Sequence, residues 1–123
     1  MLKYVMVGVG GFLGAIARYS LGGYIGSRFG VRFPYGTFVI NVSGSFLIGL
    51  ILTLLARTTA SAYWRYLIPI GFIGAYTTFS TWMFETERLA EDRERSRAWA
   101  NVLVSLVLGV AAAALGRLIG EQL

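Results

Sequence analysis

Charged residues are spaced along this chain so as to leave four apolar stretches. Residues 33 to 56, 66 to 84 and 98 to 116 contain no Asp, Glu, Lys or Arg, and residues 4 to 27 contain a single one, Arg18. Each stretch reaches the roughly 20 residues needed to cross a hydrocarbon core about 30 Å thick. Lipid gives the backbone no hydrogen-bonding partner, so a segment that crosses it satisfies its own N–H and C=O groups as a helix. The pattern predicts an all-α membrane protein, a single four-helix transmembrane domain over 1–123 with approximate spans 4–27, 33–56, 66–87 and 98–120. A cleaved secretory signal carries its positive charge ahead of a short apolar run, and Arg18 inside the first stretch argues against one.

Small residues recur at helical spacing in these spans. Gly10, Gly14, Gly22 and Gly26 fall in one row of the first span with Arg18 among them. Asn41, Ser45 and Gly49 repeat the spacing in the second, and Asn101, Ser105, Gly109 and Ala113 in the fourth. Lipid does not drive helices together, so rows of small residues that let backbones approach closely are read first as packing surfaces.

The polar exceptions point to function. Asn41 lies about a third of the way into its span, where an unpaired amide is costly, so it faces protein or water. It serves either an interhelical hydrogen bond or an anion path that needs an amide donor. Arg18 is always charged. It is either structural, held by Glu85 or by backbone carbonyls, or it makes an aqueous vestibule positive.

The third span carries the most unusual run, Gly71-Phe72-Ile73-Gly74-Ala75-Tyr76-Thr77-Thr78-Phe79-Ser80-Thr81-Trp82. Two glycines and four hydroxyl residues at mid-span predict a third helix broken at mid-membrane, where freed backbone groups are buried in protein or bind an ion. The alternative is a continuous helix whose Ser and Thr bond their own carbonyls. Phe79 and Trp82, three residues apart, share a helix face. Ring edges are electropositive and can hold a dehydrated anion without a full charge, weakly enough for it to leave again.

Composition narrows the class further. Of 123 residues, 56% are hydrophobic and 14% charged, against about a quarter charged in soluble domains. The chain has no Cys and no His. That excludes disulfides and thiolate metal sites and removes the usual general base, so the chain does not read as an enzyme. The net charge of +5 sits at helix ends rather than on one face, which disfavours nucleic acid as a partner. Lys3, Arg57, Arg65 and Arg117 fall at one end of a four-helix topology, and Arg28, Arg32, Arg88, Arg93, Arg95 and Arg97 at the other. With the N-terminal amine the count is five against six, which gives almost no preferred orientation, so the chain is expected to insert both ways. The mixed-charge stretch 88–97 is expected to extend the third helix before a solvated turn.

Three motifs together resemble the Fluc or CrcB family of fluoride channels. They are Gly-Gly-Phe-Leu-Gly-Ala-Ile-Ala-Arg-Tyr at 10–19, Gly-Thr-Phe-Val-Ile-Asn-Val-Ser-Gly-Ser-Phe-Leu-Ile-Gly at 36–49, and Thr-Thr-Phe-Ser-Thr at 77–81 followed by Glu85. The resemblance implies passive, selective fluoride export through a multi-pass protein of the bacterial inner or plasma membrane. It also implies an antiparallel, dual-topology homodimer with two pores, each lined by both subunits, and a structural sodium ion at the dimer centre. The carbonyls matching that metal site belong to Gly74 and Thr77. By the same resemblance Asn41 and Phe79 face the fluoride path, Ser80 and Thr81 contribute hydroxyls, Glu85 lies near a pore end, and Arg18 matches a vestibule residue. The chain departs from the family at Trp82, which stands where a second phenylalanine is expected, and in the fourth helix, where Ser105 is followed by Gly109 and Ala113 instead of further hydroxyls. Two other classes fit a chain of this size. A small multidrug exporter needs a membrane-embedded carboxylate, for which Glu85 is the sole candidate, and an assembly subunit would use Asn41 and Phe79 for packing alone.

Overall fold

A computed structural model describes residues 1–30, 32–58 and 62–123. Among the described residues every regular element is helical: α1 (Leu2–Phe29), α2 (Tyr35–Arg57), α3 (Tyr63–Arg65), a π-helical stretch (Tyr66–Ile73), α4 (Gly74–Tyr76), α5 (Ser80–Glu91) and α6 (Arg95–Gln122). Together, α3 through α5 make the third of four spans long and apolar enough to cross a membrane. The π-helical turns surround Pro69. Proline has no N–H to give and its ring crowds the carbonyl four residues back, and a wider turn relieves both.

Two helix pairs are built on backbone contact. A Cβ at Gly10 would run into the Leu67 carbonyl, and one at Gly14 into the Phe72 carbonyl, so α1 lies directly against the π-helical stretch. Further along, Arg18 reaches Thr77. The contacts climb together in both segments, which makes α1 and the first half of the third span parallel. In the same sense α2 follows α6, from Ser45 opposite Gly109, through Gly49 on the Ala113 backbone and Gly116 between Phe46 and Leu50, to Gly120 against Leu50 and Thr53. At the end of this seam Arg57 Nη1 donates to the Gly120 carbonyl at 3.1 Å and to that of Glu121, satisfying final-turn carbonyls of α6. Arg65 Nη2 donates to the Leu55 carbonyl at 3.4 Å, so the end of α2 and the start of the third span lie together. Between α2 and the third span the order is reversed, with Tyr76 at Ser43, Thr78 at Asn41 and Glu85 at Thr37. The result is an up-down-up-down bundle.

The glycine row of α1 packs over only part of its length. Gly22 lies against Ile40 and Gly36, but the position of a Cβ on Gly26 is open space, and Gly26 borders a cavity. The charged stretch 88–97 divides between two helices. α5 ends at Glu91, and the turn closes with Arg93 N–H on Ala90 O at 3.2 Å and Glu94 N–H on Leu89 O at 2.9 Å. This pair of bonds is a Schellman motif, with Arg93 at φ 62° in the position that glycine usually takes.

Candidate functional site

The site grows from the break between α4 and α5. The helical ladder reaches Thr77 N–H on Ile73 O at 3.0 Å and resumes with Met83 N–H on Phe79 O at 3.0 Å. At Thr77 the backbone is extended, with ψ 159°. Asn41 substitutes for the ladder across this gap. Its Oδ1 accepts Thr78 N–H at 2.9 Å and its Nδ2 donates to Thr78 O at 2.8 Å. The interhelical hydrogen bond is therefore present, and of the amide's two N–H groups one remains for a further acceptor. Thr78 lies two residues ahead of α5, and its Oγ1 accepts Thr81 N–H of the first turn at 3.3 Å. The same hydroxyl lies 3.1 Å from Thr81 Oγ1 and 3.4 Å from Ser80 Oγ, which gathers three hydroxyls at one helix start.

Phe79 and Trp82 meet edge to face, with ring centroids 5.6 Å apart and planes at 76°. Phe79 is 70% exposed, an open aromatic next to a gap in the backbone ladder. Both rings line a groove of about 590 Å³ with Asn41, Gly74, Thr77 and Ser105. The Ser105 hydroxyl is buried there and has no partner among the described residues. A second cavity of about 700 Å³ holds Arg18, Thr37, Thr81, Glu85 and Arg88, and Thr78 borders both cavities. Ser80 lines neither; it joins the group only through its contact with Thr78.

Arg18 and Glu85 face the second cavity without forming an ion pair with each other. Arg18 Nη1 reaches the Thr77 carbonyl at 3.5 Å, and Glu85 Oε1 instead accepts Thr37 Oγ1–H at 2.9 Å, leaving Oε2 buried without a partner among the described residues. The Gly74 and Thr77 carbonyls suit a hard cation such as sodium. Thr78 N–H, the donor that would close a helical turn on Gly74 O, is turned to Asn41, and Thr77 O holds only the long contact from Arg18. Each carbonyl keeps a lone pair for an oxygen-seeking ion. Among the described residues no group of three or more His, Cys, Asp or Glu could hold a metal ion.

Residues 5–117 match the family described as CrcB-like protein, Camphor Resistance (CrcB). The chain belongs to the CrcB family. Among its relatives is a protein of Acidobacterium capsulatum named fluoride-specific ion channel FluC, 52% identical over 123 residues, which are 99% of this chain and 98% of the relative. A Solibacter usitatus protein of the same name is 46% identical, with 98% and 100% covered. One from Mycobacterium tuberculosis, named fluoride-specific ion channel FluC 2, is 44% identical, with 90% and 85% covered.

Three polar groups around the site of this CrcB-family chain were outside the residues expected from sequence: Thr37, Thr86 and Asn101. Asn101 is fully buried, and its Nδ2 donates to Thr86 Oγ1 at 2.8 Å. Its signal was an amide in a row of small residues, the same signal that picked out Asn41. Isolated threonines in helices carry no comparable mark.

Proposed function

We propose that this chain is a fluoride-selective channel that lets fluoride leave the cell passively across the bacterial cytoplasmic membrane, protecting it from fluoride toxicity. The observation that carries the proposal is the break at 77–79, where hydroxyls and ring edges gather on an open groove inside a membrane span. The relatives' name, fluoride-specific ion channel, supports the choice of ion.

Fluoride gives up a tightly held water shell to enter a narrow path, and weak donors replace it in sequence. Arg18, Arg32, Arg88 and Arg97 line the second cavity against Glu85, Asp92 and Glu94, four charges to three, and the excess of one positive charge raises the local anion concentration. Thr81 belongs to that cavity and Thr78 to both, so their hydroxyls mark the passage between them. Beyond it stand the second Asn41 N–H, the edges of Phe79 and Trp82, and the uncommitted Ser105 hydroxyl. None of these beyond the arginines carries a full charge, so the ion is held and released.

The pore is completed by a second, antiparallel copy, a reading supported by the exposure of Phe79 and by the nearly even charge at the two ends. The Gly74 and Thr77 carbonyls of both copies would hold sodium between them, supplying fixed positive charge at the dimer centre. Reporter fusions to the C-terminus are expected in both orientations; a single orientation contradicts dual topology. Rigorous sodium removal is expected to weaken the dimer or its activity, and an indifferent protein contradicts the cation site. The functional test is efflux from fluoride-loaded liposomes, read with a fluoride electrode while a potassium ionophore dissipates charge. Efflux no faster than from empty liposomes would refute the proposal, and equal chloride efflux would refute selectivity.

A further inference from the structure

The second aromatic of the site is a tryptophan, whose indole N–H is a strong donor that phenylalanine lacks. Left free beside the groove, it would bind an anion far more tightly than a ring edge does. The structure gives this donor another task. Trp82 Nε1–H donates to the backbone carbonyl of Asn101 at 3.1 Å. Asn101 Nδ2 donates to Thr86 Oγ1 at 2.8 Å, and Thr86 Oγ1–H donates to the Trp82 carbonyl at 2.8 Å. The bonds close a loop that begins and ends on Trp82 and crosses between α5 and α6.

We infer that Thr86 and Asn101 are positioning residues that lock the Trp82 indole with its N–H turned to the α6 backbone while the ring lines the groove beside Phe79. Asn101 is 0% exposed, so its amide has no water to exchange for Thr86. The Thr86 hydroxyl is both donor and acceptor in the loop, and without it Asn101 Nδ2 is left buried and unpaired. Trp82 meets Phe79 edge to face while its one strong donor is spent on α6, so its departure from the family motif adds no free N–H to the groove. This inference rests on the reading of Phe79 and Trp82 as part of the anion path.

The test compares hydrogen exchange at the three indole N–H groups of the ¹⁵N-tryptophan-labelled native protein, assigned through Trp64→Phe and Trp99→Phe. The Trp82 N–H is expected to exchange at least about tenfold more slowly than those of Trp64 and Trp99, which are 50% and 65% exposed. Thr86→Val keeps the side-chain shape and removes the hydroxyl. It is expected to speed that exchange and to lower fluoride efflux about tenfold, with Thr86→Ser restoring both. Exchange at Trp82 as fast as at Trp99 in the native protein overturns the inference and requires no variant at Thr86 to fold. So does a Thr86→Val protein with a released N–H and native efflux. Absence of efflux from the native protein overturns the channel reading instead, and the exchange rates still decide whether the indole is locked.

Discussion

The α2/α6 seam and the break at 77–79 solve the same problem, satisfying and packing a backbone in lipid, by opposite means. In the seam the helices are continuous, and glycines let one backbone rest on the other, as Gly49 does on Ala113 and Gly116 on Phe46. No side-chain hydrogen bond is needed along most of its length, because the peptide groups are satisfied within each helix. At the break the ladder lapses, and side chains take its place: Asn41 on Thr78 and Arg18 on Thr77 from other helices, and Thr78 of the break itself on the start of α5. Seams made of backbone tolerate no added atom. Breaks made of side-chain hydrogen bonds tolerate shape changes but lose their geometry when one donor is removed. The first arrangement is suited to holding the bundle, the second to presenting polar groups to an ion.

Substitutions separate the two regions in order of size. Gly49→Ala places a methyl in the Ala113 backbone and is expected to cost about 3 kcal/mol or more, seen as loss of monodisperse protein on size exclusion. Gly23→Ala, where a Cβ meets open space, is the matched control and should leave that profile unchanged. Asn41→Asp keeps the acceptor for Thr78 N–H and removes the donor to Thr78 O. It is expected to destabilise by about 2 kcal/mol in detergent unfolding and to abolish fluoride efflux. Phe79→Ile keeps most of the apolar volume and removes the electropositive edge, so efflux should fall about tenfold while the assembly stays intact. Unaltered efflux would make Phe79 a packing residue like those of the seam. The smallest effect is expected from Thr37→Val, which removes the bond to Glu85 Oε1 and should cost about 1 kcal/mol in the same unfolding assay.

The spans were legible because charge is excluded from lipid, and the break because Gly71, Gly74 and four hydroxyl residues stand in one apolar run. Pairings across helices were not. The sequence left Arg18 open between Glu85 and backbone carbonyls; the climb of α1 along the third span brings it to the Thr77 carbonyl, while α2 delivers Thr37 to Glu85. Such choices depend on helix rotation and height, which row spacing leaves open. The Trp82 N–H was equally unassigned in the sequence, because its acceptor is a backbone carbonyl and any residue at 101 supplies one. The π-helical turns at Tyr66–Ile73 had only Pro69 as a sign.

The central claim is that the polar break conducts fluoride and rejects other halides. Current across a planar bilayer holding the purified protein, with opposed gradients of fluoride and chloride, tests it in one reading. The account predicts a reversal potential at the fluoride equilibrium value, unmoved when chloride is replaced by an impermeant anion. Reversal that follows the chloride gradient, or no current above the bare membrane, contradicts it.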